Sequence, residues 1–564
     1  MSGTTYIWQA PAGAEHLIGP GSPFEVVTED VLGVPVRVFA NRMRSMREVL
    51  AMTRERFGPL PNLVFPDLTL TYDDLSASVA RVAAFFAERG VGKGDRVAIA
   101  SANTAQFYVA WWATVVSGAI VSSLNGWWTP SEMRHGVDLS GPALVLADQP
   151  RYERLVEAGV VADHEVHDLR VLDPLLGPAR ADDPALPTAP IDEDDAALLL
   201  FTSGTTGRPK AATLSHRNLI SFPQCVLLQG AIGATLAPPP PQPADAAPPP
   251  QPSSIQAGPL FHVSGVAPLV TGAFTGSRIV FAPVGAWSET THLALTAEHR
   301  VAGWSLVPTQ FWRLFEHPDF EKYDTSSVMQ MGGGGATYSP ELIKLMGRKV
   351  PQARIGIGYG MSETLGCGTR IGGITLETHP ASVGTVDCLH ELEIRDESGA
   401  VVADGEVGEI CLRGAAVFLG YWDNPEASAK ALDERRWYRT GDFGRVVDGV
   451  LLLESRMRDL IIRGGENIYP IEIENRLEEH PDVLEVAVIG VPHHQLGQEV
   501  AAVVVARPGS MLLADEVRAW VGAELAKFKI PAHVVFREEL PHNASGKVVK
   551  HELEVDVIAE LDAN

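Results

Sequence analysis

The sequence predicts an α/β protein in which a large region of parallel-rich sheets covered by helices is followed by a small α+β domain. Three observations predict it. From Thr71 to Asp148 amphipathic helices alternate with short apolar strands, the rhythm of a parallel sheet flanked by helices. Beyond Arg456 the pattern changes to EVAVIGVPH, EVAAVVVARPG and AHVVFREEL interleaved with helical stretches, which reads as a separate unit. At roughly 150 residues per domain, a chain of 564 residues has room for several such units.

The first helix opens at Thr71, which with Asp74 forms a capping-box-like pair. Leu75, Val79, Val82 and Phe86 then recur at helical spacing and Gly90 closes the run. Gly94 to Ala100 (GDRVAIA) follows as a buried strand. Ser101 to Ser131 contains no Asp, Glu, Lys or Arg and raises the question of a membrane span. Thr114, Ser117, Gly118, Ser122 and Ser123 interrupt it, so it reads as a buried helix ending at Gly118 and then a core strand, not an integral membrane span. GPALVLAD repeats the strand pattern. Pro238 to Pro252 (PPPPQPADAAPPPQP) cannot supply a sheet ladder and is expected to form an exposed, extended loop.

Composition narrows the function classes. A 45% apolar, 20% charged chain is an ordinary globular protein, not a collagen-like or disordered one. A net charge of −25 argues against broad binding to nucleic acid, and leaves only weak support for peripheral contact with a membrane. Four cysteines without C-x-x-C spacing suit a reducing, cytoplasmic setting, and no secretory signal is evident at the N-terminus. The adjacent His493 and His494 lack the spacing of a helical metal pair, and GIGYG lacks the full dinucleotide fingerprint.

The segment richest in chemistry is Ala196 to Ile220. An apolar strand runs into Thr202, Ser203, Gly204, Thr205, Thr206 and Gly207, followed by Arg208, Pro209 and Lys210. Small hydroxyl and glycine residues let successive backbone amides face a phosphate, and Lys210 adds a mobile cation. Gly204, Gly207 and Lys210 are three apart, so the spacing is not that of the Walker loop.

With this loop stand SGTTGRPK (Ser203 to Lys210), GYGMSET (Gly358 to Thr364), YRTGDFG (Tyr438 to Gly444), RMRDLIIRGGENIYPIEIE (Arg456 to Glu474) and ASGKVVK (Ala544 to Lys550). On these five motifs, in this order, the chain resembles the adenylate-forming superfamily, and within it free-standing acyl-CoA synthetases of the fatty-acyl type. The resemblance implies an N-terminal adenylation domain over 1–455 that includes a distorted β-barrel, a hinge at 456–459, and a mobile C-terminal domain over 460–564. It implies two half-reactions at one site, with ATP, Mg²⁺ and coenzyme A as the small molecules. A carboxylate attacks the α-phosphorus of ATP to give an acyl-adenylate and pyrophosphate, and the CoA thiol then displaces AMP.

The same resemblance assigns roles. Thr202, Ser203, Gly204, Thr205, Thr206 and Lys210 hold the β- and γ-phosphates, with Thr206 counted among the catalytic groups. Gly335, Ala336 and Thr337 line the adenine slot, and Tyr359, beside Gly360, packs on the base. Ser362 bonds the α-phosphate, Glu363 is the catalytic Mg²⁺ ligand, Asp442 accepts from the ribose hydroxyls, and Arg456 stands at the ribose edge. Lys547 serves adenylation as an ammonium, charged at neutral pH. Arg458 is the pivot, where the family usually has Asp or Lys. Gly464, Gly465 and Glu466 approach the nucleotide in the second state and open the pantetheine channel.

His262 is expected to gate the acid pocket, with a packed histidine the alternative. Gly332, Gly333 and Gly334 remove side chains from one pocket wall, which favours a bulky apolar acid. Cys367 lines that pocket or fills core. In the matched pocket segments no charged side chain stands out except Arg370 just beyond them. The expected substrate is a medium- or long-chain fatty acid or a bulky cyclic aliphatic acid such as a steroid-derived one. Alternatives are an aryl acid, or an acyl-AMP ligase loading a separate carrier protein. The oligomeric state stays open, a homodimer among the options.

Overall fold

The computed structural model of the chain describes residues 3–202, 209–238, 249–334, 338–456, 459–463, 466–543 and 546–563. Among them, local sequence signals are followed closely. The helix Tyr72–Glu88 is capped by Thr71, whose hydroxyl accepts from the Asp74 amide while the Asp74 carboxylate accepts from the Thr71 amide. The next helix, Ala105–Val116, is buried on all sides, with Trp111 and Trp112 edge-to-face at 5.5 Å. A helix apolar all round belongs in a core. It ends before Gly118, which adopts φ +75° and turns the chain into the buried strand Ile120–Ser123.

These strands enter a sheet ordered Gly420–Tyr421, Lys210–Ser215, Ala196–Thr202, Ile120–Ser123, Arg96–Ala100, Leu144–Ala147 and Val166–Asp168. It is parallel from Ala196–Thr202 to Val166–Asp168 and antiparallel at the other edge. A second sheet runs from Thr385–Val386 through Thr369–Gly372, Arg354–Tyr359, Gln330–Gly333 and Gly303–Ser305 to the edge pair Pro61–Val64 and Thr69–Thr71. Its centre is parallel and its edges antiparallel. The expected parallel character holds in the middle of both sheets. Where the connection is short, as between Ala196–Thr202 and Lys210–Ser215, the next strand folds back antiparallel. Side chains from Ala105–Val116 and from the helix Val263–Thr275 share one apolar core that joins the two sheets.

A third, wholly antiparallel sheet curls as a half-barrel: Tyr6–Ile7, His390–Arg395, Gly408–Gly414, Tyr438–Val447 and Val450–Arg456. After it comes the small α+β unit. There the long hairpin Val483–His493 and Gly497–Ala506 pairs with Ile461–Arg463 and His533–Arg537, and the helix Pro470–Glu478 packs on a core of its own.

The helix His216–Leu236 is the one described helix long and apolar enough to cross a membrane by length and composition. Its first turn is buried and bonded within the protein: Arg217 pairs with Asp194 at 2.7 Å, and Asn218 donates to the carbonyls of Ala415 and Val417. That is the anchoring of a core helix. Residues 239–248 of the proline-dense segment lie outside the described residues.

Candidate active site

The phosphate-loop motif sits at the tip of the hairpin Ala196–Thr202 and Lys210–Ser215, in register Thr202 to Lys210. Ser203, Gly204, Thr205 and Thr206 lie outside the described residues; their two flanks do not. The Lys210 ammonium stands 5.1 Å from the centroid of the Tyr421 ring. The hydroxyl of Tyr421 donates to Glu363 Oε1 at 2.8 Å. Tyr421, which the motifs did not single out, thus links the lysine of one motif to the glutamate of another. Burial, and then the Glu363 carboxylate, push the Tyr421 and Tyr438 hydroxyls well up, so both remain donors.

Glu363 occupies a short 3₁₀ turn, Ser362–Thr364, whose three side chains are buried. Gly360 precedes it and meets the backbone of Gly366, an approach that leaves no room for a Cβ. The motif therefore folds back on itself and presents the carboxylate toward the cleft, beside Lys210 and Tyr421. Buried carboxylate oxygen is a hard donor and fits Mg²⁺. On the opposite wall the Tyr359 hydroxyl donates to Asp442 Oδ2 at 2.9 Å, and Asp442 stands opposite Arg456 in the strand register. Gly335, Ala336 and Thr337 lie outside the described residues, as do Arg458, Gly464 and Gly465; of Glu466 only its place in the strand Glu466–Ile468 is described.

Lys547 comes from the small domain. Its loop is closed by Asn543, whose side-chain oxygen accepts from the Lys547 amide at 3.0 Å while its own amide donates to the Lys547 carbonyl at 2.8 Å. Gly546, at φ +77°, abuts Val307 of the large domain. This docking places Lys547 within electrostatic reach of His262, which burial and then the lysine charge push down to about 4. Neutral His262 caps the helix Val263–Thr275, its Nδ1 accepting from the Ser264 amide at 3.2 Å. Elsewhere the domains meet where Arg507 pairs with Glu316 and stacks over Trp312, and where Glu478 approaches Ser339.

The glycine run has a reason the sequence did not disclose. A Cβ on Gly332 would strike the Gly356 carbonyl, and one on Gly334 would lie 2.8 Å from the Gly358 carbonyl. The neighbouring strand excludes side chains here, and Gly332, Gly333 and Gly334 then face the cleft as bare backbone. Cys367 is fully buried, and the nearby Cys225 thiol and burial push its own thiol well up, so of its two readings the structure favours core packing over the pocket wall.

Residues 51–422 match the profile of the family described as AMP-binding enzyme, and residues 472–547 match the AMP-binding enzyme C-terminal domain. The chain belongs to the AMP-binding enzyme family. It is 33% identical over 488 residues to a feruloyl-CoA synthase of Amycolatopsis sp, a match covering 86% of this chain and 93% of that protein. It is 30% identical over 516 residues to a long-chain-fatty-acid–CoA ligase of Mycobacterium tuberculosis, covering 90% and 97%. ATP-bound MatB from Rhodopseudomonas palustris superposes with a TM-score of 0.79 at 28% identity, over 92% of this chain and 99% of that one. This AMP-binding enzyme is an adenylate-forming ligase of the acyl- or aryl-CoA synthetase class, using ATP, Mg²⁺ and CoA.

Proposed function

We propose that this AMP-binding enzyme activates a medium- or long-chain fatty acid, or a bulky cyclic aliphatic acid, and transfers it to free coenzyme A. The observation that carries the reading is the docking of the Lys547 loop at Val307 and His262, beside a cleft walled by Phe222, Val263 and the bare backbone of Gly332 to Gly334. An apolar acid entering past His262 meets carbon and backbone, and its carboxylate stays at the mouth beside the Lys547 ammonium.

In the adenylation step, Lys547 neutralises the charge shared by the carboxylate and the α-phosphate. The loop from Thr202 to Lys210, with Thr206, holds the β- and γ-phosphates, and Ser362 bonds the α-phosphate. Asp442 fixes the ribose, with Arg456 at its edge, and Tyr359 and Gly360 with Gly335, Ala336 and Thr337 hold the base. Glu363 would hold Mg²⁺, which when bound would supply charge compensation for the pyrophosphate leaving group. Work of this kind is positioning and electrostatics, since the phosphoryl centre needs no covalent help. For thioester formation the small domain turns about Arg458, withdraws Lys547 and brings Gly464, Gly465 and Glu466 to the nucleotide. The four buried free thiols, Cys225, Cys367, Cys388 and Cys411, suit a reducing cytoplasm.

The relationship to feruloyl-CoA synthase favours a second reading, an aryl acid in the same cleft. Purified enzyme assayed against fatty, cyclic aliphatic and cinnamic-type acids for CoA-dependent AMP and thioester release decides between them. Turnover confined to aryl acids would replace the first reading with the second. Adenylate formation without a CoA thioester would point instead to transfer onto a carrier protein.

A further inference from the structure

Arg370 is a charged side chain on an otherwise apolar wall, and the adenylation chemistry makes no use of it. It lies on the strand Thr369–Gly372, opposite Gly358. Its Nε donates to Asp387 Oδ1 at 3.2 Å, and the Asp387 side chain is fully buried, held also by the Gly368 amide at 3.2 Å. The guanidinium stands 5.5 Å from the centroid of the Phe222 ring. Its side chain keeps 24% of its surface exposed, lines the cleft, and has no other polar partner among the described residues. The two terminal nitrogens of a guanidinium so held are donors facing the cleft.

The cleft can be followed residue by residue. Lys547 lies within electrostatic reach of His262 at the mouth. Val263, next in sequence, and Phe222 flank Gly366 together, a Cβ there lying 3.5 Å from Val263 Cγ2 and 3.6 Å from Phe222 Cε2. Arg370 stands at Phe222, its guanidinium 5.5 Å from the ring centroid. The reacting carboxylate belongs at the Lys547 end, so whatever meets Arg370 is a remote part of the same acid.

We propose that Arg370 is a specificity-determining residue that reads a neutral hydrogen-bond acceptor, an oxo or hydroxyl oxygen, on the part of the acid far from its carboxylate. This rests on the ligase reading above and narrows its substrate class from plain apolar acids to oxygenated ones. Asp387 decides the charge of that group. The Arg370–Asp387 pair is already neutral, so a second carboxylate would be a partly buried charge without compensation, whereas a carbonyl or hydroxyl oxygen accepts from the guanidinium without adding charge. A purely aliphatic chain end would leave the guanidinium donors dehydrated and unbonded.

The test uses the full-length enzyme, the best unsubstituted acid of the panel, its oxo derivatives at successive carbons, and the matching dicarboxylic acid. CoA-dependent pyrophosphate release gives kcat/KM for each. One oxo position should exceed the parent acid by about ten- to a hundredfold, the range of a hydrogen bond to a charged group. The double variant Arg370→Leu/Asp387→Asn, which leaves no buried charge unpaired, should lose that advantage: the oxo-to-parent ratio of kcat/KM falls to about one as parent-acid turnover rises on relief of the dehydration cost, and an unchanged Tm is its folding control. Arg370→Lys should retain part of the advantage. Equal losses on parent and oxo acids, or no oxo preference in the unaltered enzyme, would overturn the proposal. A preference for the dicarboxylic acid would overturn the neutral-acceptor assignment. If the unaltered enzyme turns over no acid at all, the ligase reading fails first.

Discussion

Gly546 and Val307 meet across the domain boundary so closely that a Cβ on Gly546 would lie 2.6 Å from Val307 Cγ2. The glycine also adopts φ +77°, in the left-handed region. Both demands fall on the residue before Lys547, so the lysine reaches the cleft only because its neighbour has no side chain.

Gly546→Ala therefore carries a cost of about 1–2 kcal/mol for the left-handed backbone, and the clash with Val307 adds to it. The expected outcome is adenylation slowed by about tenfold or more, measured as acid-dependent ATP–pyrophosphate exchange. Thioester formation from chemically made acyl-adenylate should change little. Equal loss in both half-reactions would show that the loop does more than dock.

Lys547→Ala removes the cation itself. Adenylation should fall on the order of a hundredfold or more, the scale for losing one transition-state donor. Near-normal pyrophosphate release from that variant would refute the assigned role.

Tyr421→Phe deletes the hydroxyl that donates to Glu363 and keeps the ring beneath Lys210. A hydrogen bond to a charged group is worth about 1.5–3 kcal/mol. The expected effect is a higher Mg²⁺ requirement for pyrophosphate release, together with a modest fall in Tm from the lost hydrogen bond to the buried carboxylate. An unaltered Mg²⁺ titration would detach Tyr421 from the site.

Glu478 provides a pH dependence. Burial, and the neighbouring carboxylates Glu474 and Glu485, push it up to about 7, while Ser339 across the interface holds it down somewhat. Glu474 is itself paired with Lys550 and Glu485 with His542. A carboxyl whose folded value is raised contributes stability that is fully present below its unfolded value of about 4.5 and is lost as pH rises through about 7. The Tm of the small domain should fall across that window. Glu478→Gln, permanently neutral, should flatten the profile and raise Tm above pH 7. A profile unchanged by the substitution would remove Glu478 as its source.

Much of this molecule was determined by short stretches of sequence. The Thr71–Asp74 cap, the buried helix ending before Gly118 and the hairpin around the phosphate loop depend on hydrogen bonds and periodicities within a few residues, which local sequence specifies by itself. The motifs around Glu363, Asp442 and Lys547 were recognisable because each is a contiguous run. Tertiary structure alone decided which residues meet across distance. Tyr421 reaches Glu363 over 58 positions, Cys225 meets Cys388 over 163, and the carbonyls of Gly356 and Gly358 account for the glycines opposite them. The Arg370–Asp387 pair also forms only when two strands close on each other. Such contacts arise from packing against a partner strand or domain, and no periodicity along the chain encodes a distance to a partner that has yet to arrive.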